Sequence, residues 1–206
     1  PIVAGGENAC VLHYVENNQQ LNNDDLLLVD AGCEYEMYAA DITRTFPVSG
    51  KFSDEQLAIY KVVLDAMNAA IDMVKPGNHI MQPQEISEKV ITEGLVKLGL
   101  LDGDPEELHK SGAYKEFYMH KIGHWLGLDV HDAGDYVEGE EYMKFKPGMI
   151  TTIEPGIYIS SSMDIDDKWK GIGIRIEDDI LVTKDGNENL TKKVPSDPEE
   201  IESLMS

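Results

Sequence analysis

Four carboxylates stand where a chain ordinarily places apolar side chains, and they constrain this fold more than any other feature. Asp30 closes the run LLLVD, and Asp41 lies among Ala40, Ile42 and Phe46. Glu154 ends MITTIE just before Pro155, and Glu177 sits inside IGIRIEDDILV. An unpaired buried carboxylate is costly, so each needs something positive nearby. One such acid alone reads as a cap or a strand-end charge. Four together point to a hard cation held by oxygen ligands. The segment YMHKIGHWLGLDVHD adds His120, His124 and His131, interleaved with Gly123 and Gly127. A single His there reads as a structural hydrogen-bonding group, whereas three suggest a backbone packed close to a site. Imidazole with carboxylates suits manganese, cobalt, zinc or iron. Four carboxylates and a His favour two cations ~3.5–4 Å apart, sharing bridging carboxylates and activating a water for hydrolysis. Spacing leaves open which acids bridge. Arg175 lies two residues before Glu177, on the same face of a continuous strand. It either holds a ligand carboxylate in place from behind or makes an ordinary strand salt bridge.

The surrounding pattern is α+β. Residues 26–31 and 35–46 read as strands, with Gly32 as a tight turn between them. Ser53 and Gln56 form a capping box. Leu57, Tyr60, Leu64, Met67, Ile71 and Val74 then recur along one helix face until Pro76-Gly77. A second helix starts near Pro83, carries Ile86, Val90 and Leu98, and ends at Gly99. Asp104-Pro105 opens a short helix to about His109. Strands are predicted over 114–120, 149–154, 157–160 and 171–183. A terminal helix runs from Asp197-Pro198 to about Met205, with acids in its first turn.

Composition narrows the partners. Asp and Glu number 39 against 17 Lys and Arg, a formal net charge of −22. Nucleic-acid binding needs a basic face to displace counterions, and this chain has none in prospect. Electrostatic docking on anionic membranes is disfavoured for the same reason. No apolar run reaches the ~20 residues of a membrane span, and the start lacks a signal-peptide pattern. The two cysteines, Cys10 and Cys33, read as small buried hydrophobes in a reduced cytoplasmic compartment. They cannot build a thiolate zinc cage. The chain begins at Pro1 rather than Met, so a piece of something longer is expected.

The segments DAGCEYEMYAADITRTFPVSGKFS, HKIGHWLGLDVHD, TTIEPGIYI and GIGIRIEDDILVTKDGNENLT resemble the pita-bread metallopeptidases, and within them the Xaa-Pro aminopeptidases. The resemblance runs from about Ile2 to the C-terminus. It implies a curved antiparallel sheet flanked by helices, with residues 1–206 forming a catalytic domain incomplete at its N-terminus. It implies too that the separate N-terminal domain, which in that family helps build a homo-oligomer, is expected outside residues 1–206. It implies two divalent ions, manganese foremost, held by Asp30, Asp41, His124, Glu154 and Glu177. Asp41 and Glu177 would bridge; Asp30 would bind one ion, and His124 with Glu154 the other. His120 and His131 resemble residues that contact substrate near the scissile carbonyl, and His13 in VLHY matches a further active-site His. His79 and His109 find no place in the family pattern and read as surface residues. The implied reaction is attack by a metal-bridging hydroxide on the carbonyl before a penultimate proline, with Glu154 as ligand and proton shuttle.

Prolidase, which cleaves Xaa-Pro dipeptides, shares the fold, the ligands and the His-rich segment. Trp125 after His124 and the wording GIGIRIEDD favour the aminopeptidase. Methionine aminopeptidase fits the HWLGLDVHD segment less well. A non-catalytic peptide- or protein-binding module, or a creatinase-like enzyme, would lack the complete ligand set.

Overall fold

The computed structural model describes all residues from Pro1 to Ser206. Its first half runs β1 (Ile2–Gly5), β2 (Leu26–Asp30), β3 (Glu34–Tyr35), β4 (Tyr38–Ala39), β5 (Thr43–Pro47), then helices α1 (Asp54–Ile71), α2 (Gln82–Lys97) and α3 (Pro105–Ser111). The second half runs β6 (Val137–Glu138), β7 (Glu141–Tyr142), β8 (Ile150–Ile153), β9 (Gly156–Ile159), β10 (Ile172–Arg175), β11 (Asp178–Val182), β12 (Asn187–Asn189) and α4 (Pro198–Met205). All ladders are antiparallel, in the orders β1-β2-β5, β10-β9 and β12-β11-β8, with two small hairpins beside them. No helix is long and apolar enough to cross a membrane.

Local chemistry explains the helix boundaries. Ser53 Oγ accepts from the Gln56 N–H while Gln56 Oε1 accepts from the Ser53 N–H, the reciprocal capping expected from the sequence. Asp104 and Asp197 each accept two first-turn N–H groups, with a proline following. On α1 the fully buried face is Ile59, Tyr60, Val63, Ala66, Met67 and Ala70. Leu57, Leu64 and Ile71 of the expected stripe lie at its half-buried edge. On α2, Ile86 and Val90 are likewise at the edge, and the buried face carries Gln84, Ser87, Ile91 and Leu95. Helix α1 packs on the sheets around Ile153, Ile157, Ile174 and Ile180, and α2 packs on α1.

Four expected features are rearranged. Residues 35–46 do not form one strand, because Glu36 and Met37 take positive φ and close the β3–β4 hairpin before β5 begins. Gly32 makes no tight turn. A Cβ there would lie 1.6 Å from the Ala40 carbonyl oxygen, so glycine permits a close backbone approach. Residues 114–120 contain a 3-10 helix at Ala113–Glu116, not a strand. Tyr114, Phe117 and Tyr118 are buried, and that 3–4 spacing is helical. The span 171–183 is broken after Arg175: β10 pairs with β9, and β11 pairs with β8 and β12. The sequence reading also passed over β1 and the 3-10 turn at Gly6–Cys10.

Both cysteines differ from expectation. Cys33 is exposed, and Cys10 is only partly buried, its thiol pushed up to about 12 by burial and by Glu7. His79 and His109 are not open surface. His79 stacks on Tyr142, and His109 lies between Tyr114 and Glu88, its Nε2 3.4 Å from a Glu88 oxygen.

Candidate active site

The seam between β5, β10 and β11 brings the acidic residues together. Thr43 and Glu177 form an isolated antiparallel bridge across it. Thr45 Oγ1 donates to the Arg175 carbonyl and accepts from the Arg175 N–H, so a side chain continues the ladder where the backbone stops. Breaking the strand at Ile176 and Glu177 turns the Glu177 side chain toward Asp41. One ligand atom each from Asp41, His124 and Glu177 lie within 4.8 Å of one another. Asp30, at the end of β2, and Glu154, following β8, line the same cavity of about 320 Å³. His13, His120, His131 and Arg175 line it too, with Leu12, Lys121 and Tyr136. Every site residue picked out in the sequence thus meets at one place.

The cluster is dense in negative charge and short of partners. Glu177 is 1% exposed. Its Oε2 accepts from Thr43 Oγ1 at 2.6 Å, but its Oε1 is buried with no hydrogen-bond partner. A buried, unpartnered carboxylate oxygen on a residue that clusters with Asp41 and His124 fits a hard divalent cation. His124 Nε2 lies 3.4 Å from Asp41 Oδ2 and 3.6 Å from Glu154 Oε1. Its Nδ1 faces the Trp125 carbonyl at 3.0 Å, which fixes the proton there and leaves Nε2 toward the carboxylates. Gly123 lets this segment lie against β8, since a Cβ would sit 2.0 Å from the Thr152 carbonyl oxygen.

Arg175 is paired with Asp30, not with Glu177. Its Nη2 donates to Asp30 Oδ2 at 2.6 Å, and its Nη1 donates to the Tyr158 hydroxyl at 3.1 Å. The strand break between Arg175 and Glu177 removes the shared face assumed from the sequence. Tyr158 in turn stands 2.7 Å from His120 Nε2, while His120 Nδ1 meets the Lys121 carbonyl at 2.8 Å. Because a carbonyl only accepts, Nδ1 carries the proton, and the tyrosine O–H donates to Nε2. Both ring nitrogens of His120 are thus engaged within the protein. His131 packs edge-on to His124 with ring centroids 4.3 Å apart and makes no hydrogen bond of its own. Three contributors escaped the sequence reading: Tyr158, Thr43, and Asp179, whose Oδ2 accepts from the Asp41 N–H at 3.2 Å. A tyrosine and a threonine in apolar strands carry no local mark of the residues they will meet.

Burial and crowding set the titration behaviour. Burial raises Glu154 to about 7, with His124 and Arg175 opposing and Asp41 adding to the rise. Burial and the charge of Asp41 take Asp179 to about 7, against the stabilising Asp41 N–H. Glu177 is pushed well up by burial and by Glu154, Asp41 and Asp30. Burial also raises Asp30, although Arg175 pulls the other way. His120 falls to about 4 through burial. Burial opposes the charge on His124, yet hydrogen bonding to Asp41 leaves it raised. Acids with raised folded values stabilise the fold below their unfolded values and lose that contribution as pH rises through about 7. His120 works oppositely, but only between about 4 and 6.5. The cation-free chain is therefore expected to melt at a lower temperature at pH 8 than at pH 6.5. Adding a divalent cation should raise the pH 8 value most. Thermal melts with and without EDTA at both pH values check this, and a metal-free melting point that climbs from pH 6.5 to 8 contradicts it.

A cavity floored by carboxylates and imidazole on this α+β frame carries the donor set of a divalent-metal site. Residues 1–184 match metallopeptidase family M24, and the chain belongs to that family. It is 54% identical over 205 residues to the Xaa-Pro aminopeptidase of Haemophilus influenzae, covering 100% of this chain and 47% of that protein. It is 50% identical to the Xaa-Pro aminopeptidase of Escherichia coli K12, covering 99% and 46% respectively. The structure of Pseudomonas aeruginosa aminopeptidase PepP superposes with a TM-score of 0.98 at 56% identity, over 99% of this chain and 46% of that one. An Escherichia coli aminopeptidase P variant in complex with substrate gives 0.96 at 49% identity, over 99% and 46%. The fold is thus the pita-bread fold of these enzymes, and the chain spans about half the length of the curated relatives it matches.

Proposed function

We propose that this chain is the metal-bearing part of an aminopeptidase that releases the N-terminal residue from peptides with proline in second position. The observation that carries the reading is the gathering of ligand atoms of Asp41, His124 and Glu177 within 4.8 Å of one another, with one Glu177 oxygen buried and unpartnered, in a chain about half identical to Xaa-Pro aminopeptidases. Asp41, His124, Glu154 and Glu177 would hold one divalent ion, and Asp30 with the two bridging acids, Asp41 and Glu177, a second; manganese suits the set, with cobalt, zinc or iron as other fits. Bound there, the ions supply Lewis-acid activation of water and carbonyl.

The chain's own residues do the rest. Glu154 takes a proton from the attacking water and returns it to the departing proline nitrogen. His131, with its ring nitrogens free of protein partners, meets the oxyanion that forms on the carbonyl. His120, locked by Tyr158 and Lys121, presents its ring as a fixed wall beside the proline, and His13 and Leu12 line the same cavity. Acidic residues outnumber Lys121 and Arg175 around the cavity, which favours a substrate arriving with a protonated N-terminus.

The test is hydrolysis of an Xaa-Pro-Xaa tripeptide and an Xaa-Pro dipeptide by the chain with added manganese. Release of the first amino acid from the tripeptide is the expected result. Cleavage of the dipeptide alone assigns the site to a prolidase. Failure with both, while manganese still binds, places turnover in need of sequence beyond this chain. A manganese-soaked crystal with no anomalous peak between Asp41, His124 and Glu177 overturns the metal assignment itself.

A further inference from the structure

The segment that carries His120 and His124 belongs to no strand ladder. Its central residue is Ile122, 6% exposed, and each face of that residue's backbone is held. The Ile122 carbonyl accepts from the Glu154 N–H at 2.7 Å. The Ile122 N–H donates to Gln84 Oε1 at 2.5 Å. Gln84 is 8% exposed and sits on the buried face of α2, where an apolar residue would satisfy the helix packing. A buried amide without partners is costly, and Gln84 uses both ends: its Nε2 donates to Glu88 Oε1 at 2.9 Å. Glu88 fixes the orientation, since a carboxylate accepts only. The amide oxygen is thereby forced toward Ile122.

We propose that Gln84 is a positioning residue that, oriented by Glu88, holds the Ile122 peptide and through it sets Glu154 relative to His120 and His124. The inference rests on the aminopeptidase reading for its catalytic consequence, though not for its structural content. The Gln84–Ile122 bond thus registers helix α2 against the catalytic segment. Small displacements of reacting groups cost rate steeply, with ~1 Å able to cost ~100-fold.

Amide hydrogen exchange on the full chain tests the bond directly. The neighbouring Lys121 and Gly123 N–H groups make no hydrogen bond, so Ile122 should exchange at least ~10-fold more slowly than both. Equal exchange rates overturn the proposal in the unaltered protein. Gln84→Met keeps the volume and removes both hydrogen bonds. It should abolish the Ile122 protection, shift the His124 imidazole resonances, and lower kcat ~10-fold with KM within about twofold. The double change Q84E/E88Q reverses the polarity of the pair. A carboxylate on the first position still accepts from the Ile122 N–H, and an amide on the second now donates to that carboxylate. This pair should restore protection, resonances and kcat to near the level of the unaltered protein, whereas E88Q alone, which no longer orients the Gln84 amide, should fall short of it. Loss in the single variant without recovery in the folded pair assigns Gln84 to packing and sinks the proposal. If the unaltered chain turns over no peptide, kcat reports on no variant, while exchange and imidazole shifts still decide this proposal.

Discussion

Replacing Glu154 by glutamine is expected to cut kcat by about 10²–10⁴-fold, the usual worth of a positioned acid–base group. The fold should be untouched. Glutamine preserves the shape, and the site loses a negative charge that burial already disfavours, as its rise to about 7 records. Its nearest partners tolerate the change: Thr152 Oγ1 stands 3.5 Å away, and His124 retains Asp41. Steady-state kinetics on an Xaa-Pro-Xaa tripeptide at saturating manganese, beside a thermal melt, measure both quantities. A variant that turns over within a factor of about three of the parent, a difference below ~1 kcal/mol in the barrier, removes Glu154 from the mechanism. A variant that is inactive because it is unfolded is recognised by its melt.

Arg44→Met should instead unfold the protein more easily. Arg44 is 2% exposed, and all five guanidinium N–H groups are used. Nε donates to Pro195 O at 2.9 Å, Nη1 to Thr43 O at 2.9 Å and Glu177 O at 2.7 Å, and Nη2 to Asp178 Oδ1 and Val194 O at 2.7 Å each. Methionine fills much of the space and leaves Asp178 buried with Asn189 and Thr191 as neutral donors but no counter-charge. Breaking one side of a buried ion pair costs roughly 3–5 kcal/mol. For a chain of this size that is a fall of about 6–20 °C in Tm. Lysine should rescue little, because one ammonium cannot reproduce the planar fork. A Tm within about 2 °C of the parent, under ~1 kcal/mol for this size, would show that the network is energetically idle.

The ease of reading this chain depended on whether a residue's oddity was local. Asp30, Asp41, Glu154 and Glu177 announced themselves because a carboxylate in apolar β-type sequence is costly wherever the strand ends up. The capping box and the Asp-Pro helix starts were legible for the same reason, as three or four adjacent residues settle them. Thr43, Tyr158, Gln84 and Asp179 were not. Their partners are Glu177, His120, Ile122 and Asp41, and no short window joins them. Residues 114–120 misled because aromatic content suggests a strand, while the buried set Tyr114, Phe117 and Tyr118 follows helical spacing. Residues 171–183 misled because apolar continuity gives no sign that the hydrogen-bonding partner changes at Glu177.

That change of partner has a mechanical consequence. On one side of Ile176 the sheet answers to β9, on the other to β8 and β12. Across the fault run the Thr43–Glu177 bridge, the Thr45 hydroxyl and the Arg44 guanidinium. Any force that slides one half-sheet past the other is therefore borne by the residues that space Asp41 from Glu177. Stiffness of the seam and the bite of the donor set are one property. A substitution that loosens the first widens the second, even from a position that touches neither carboxylate.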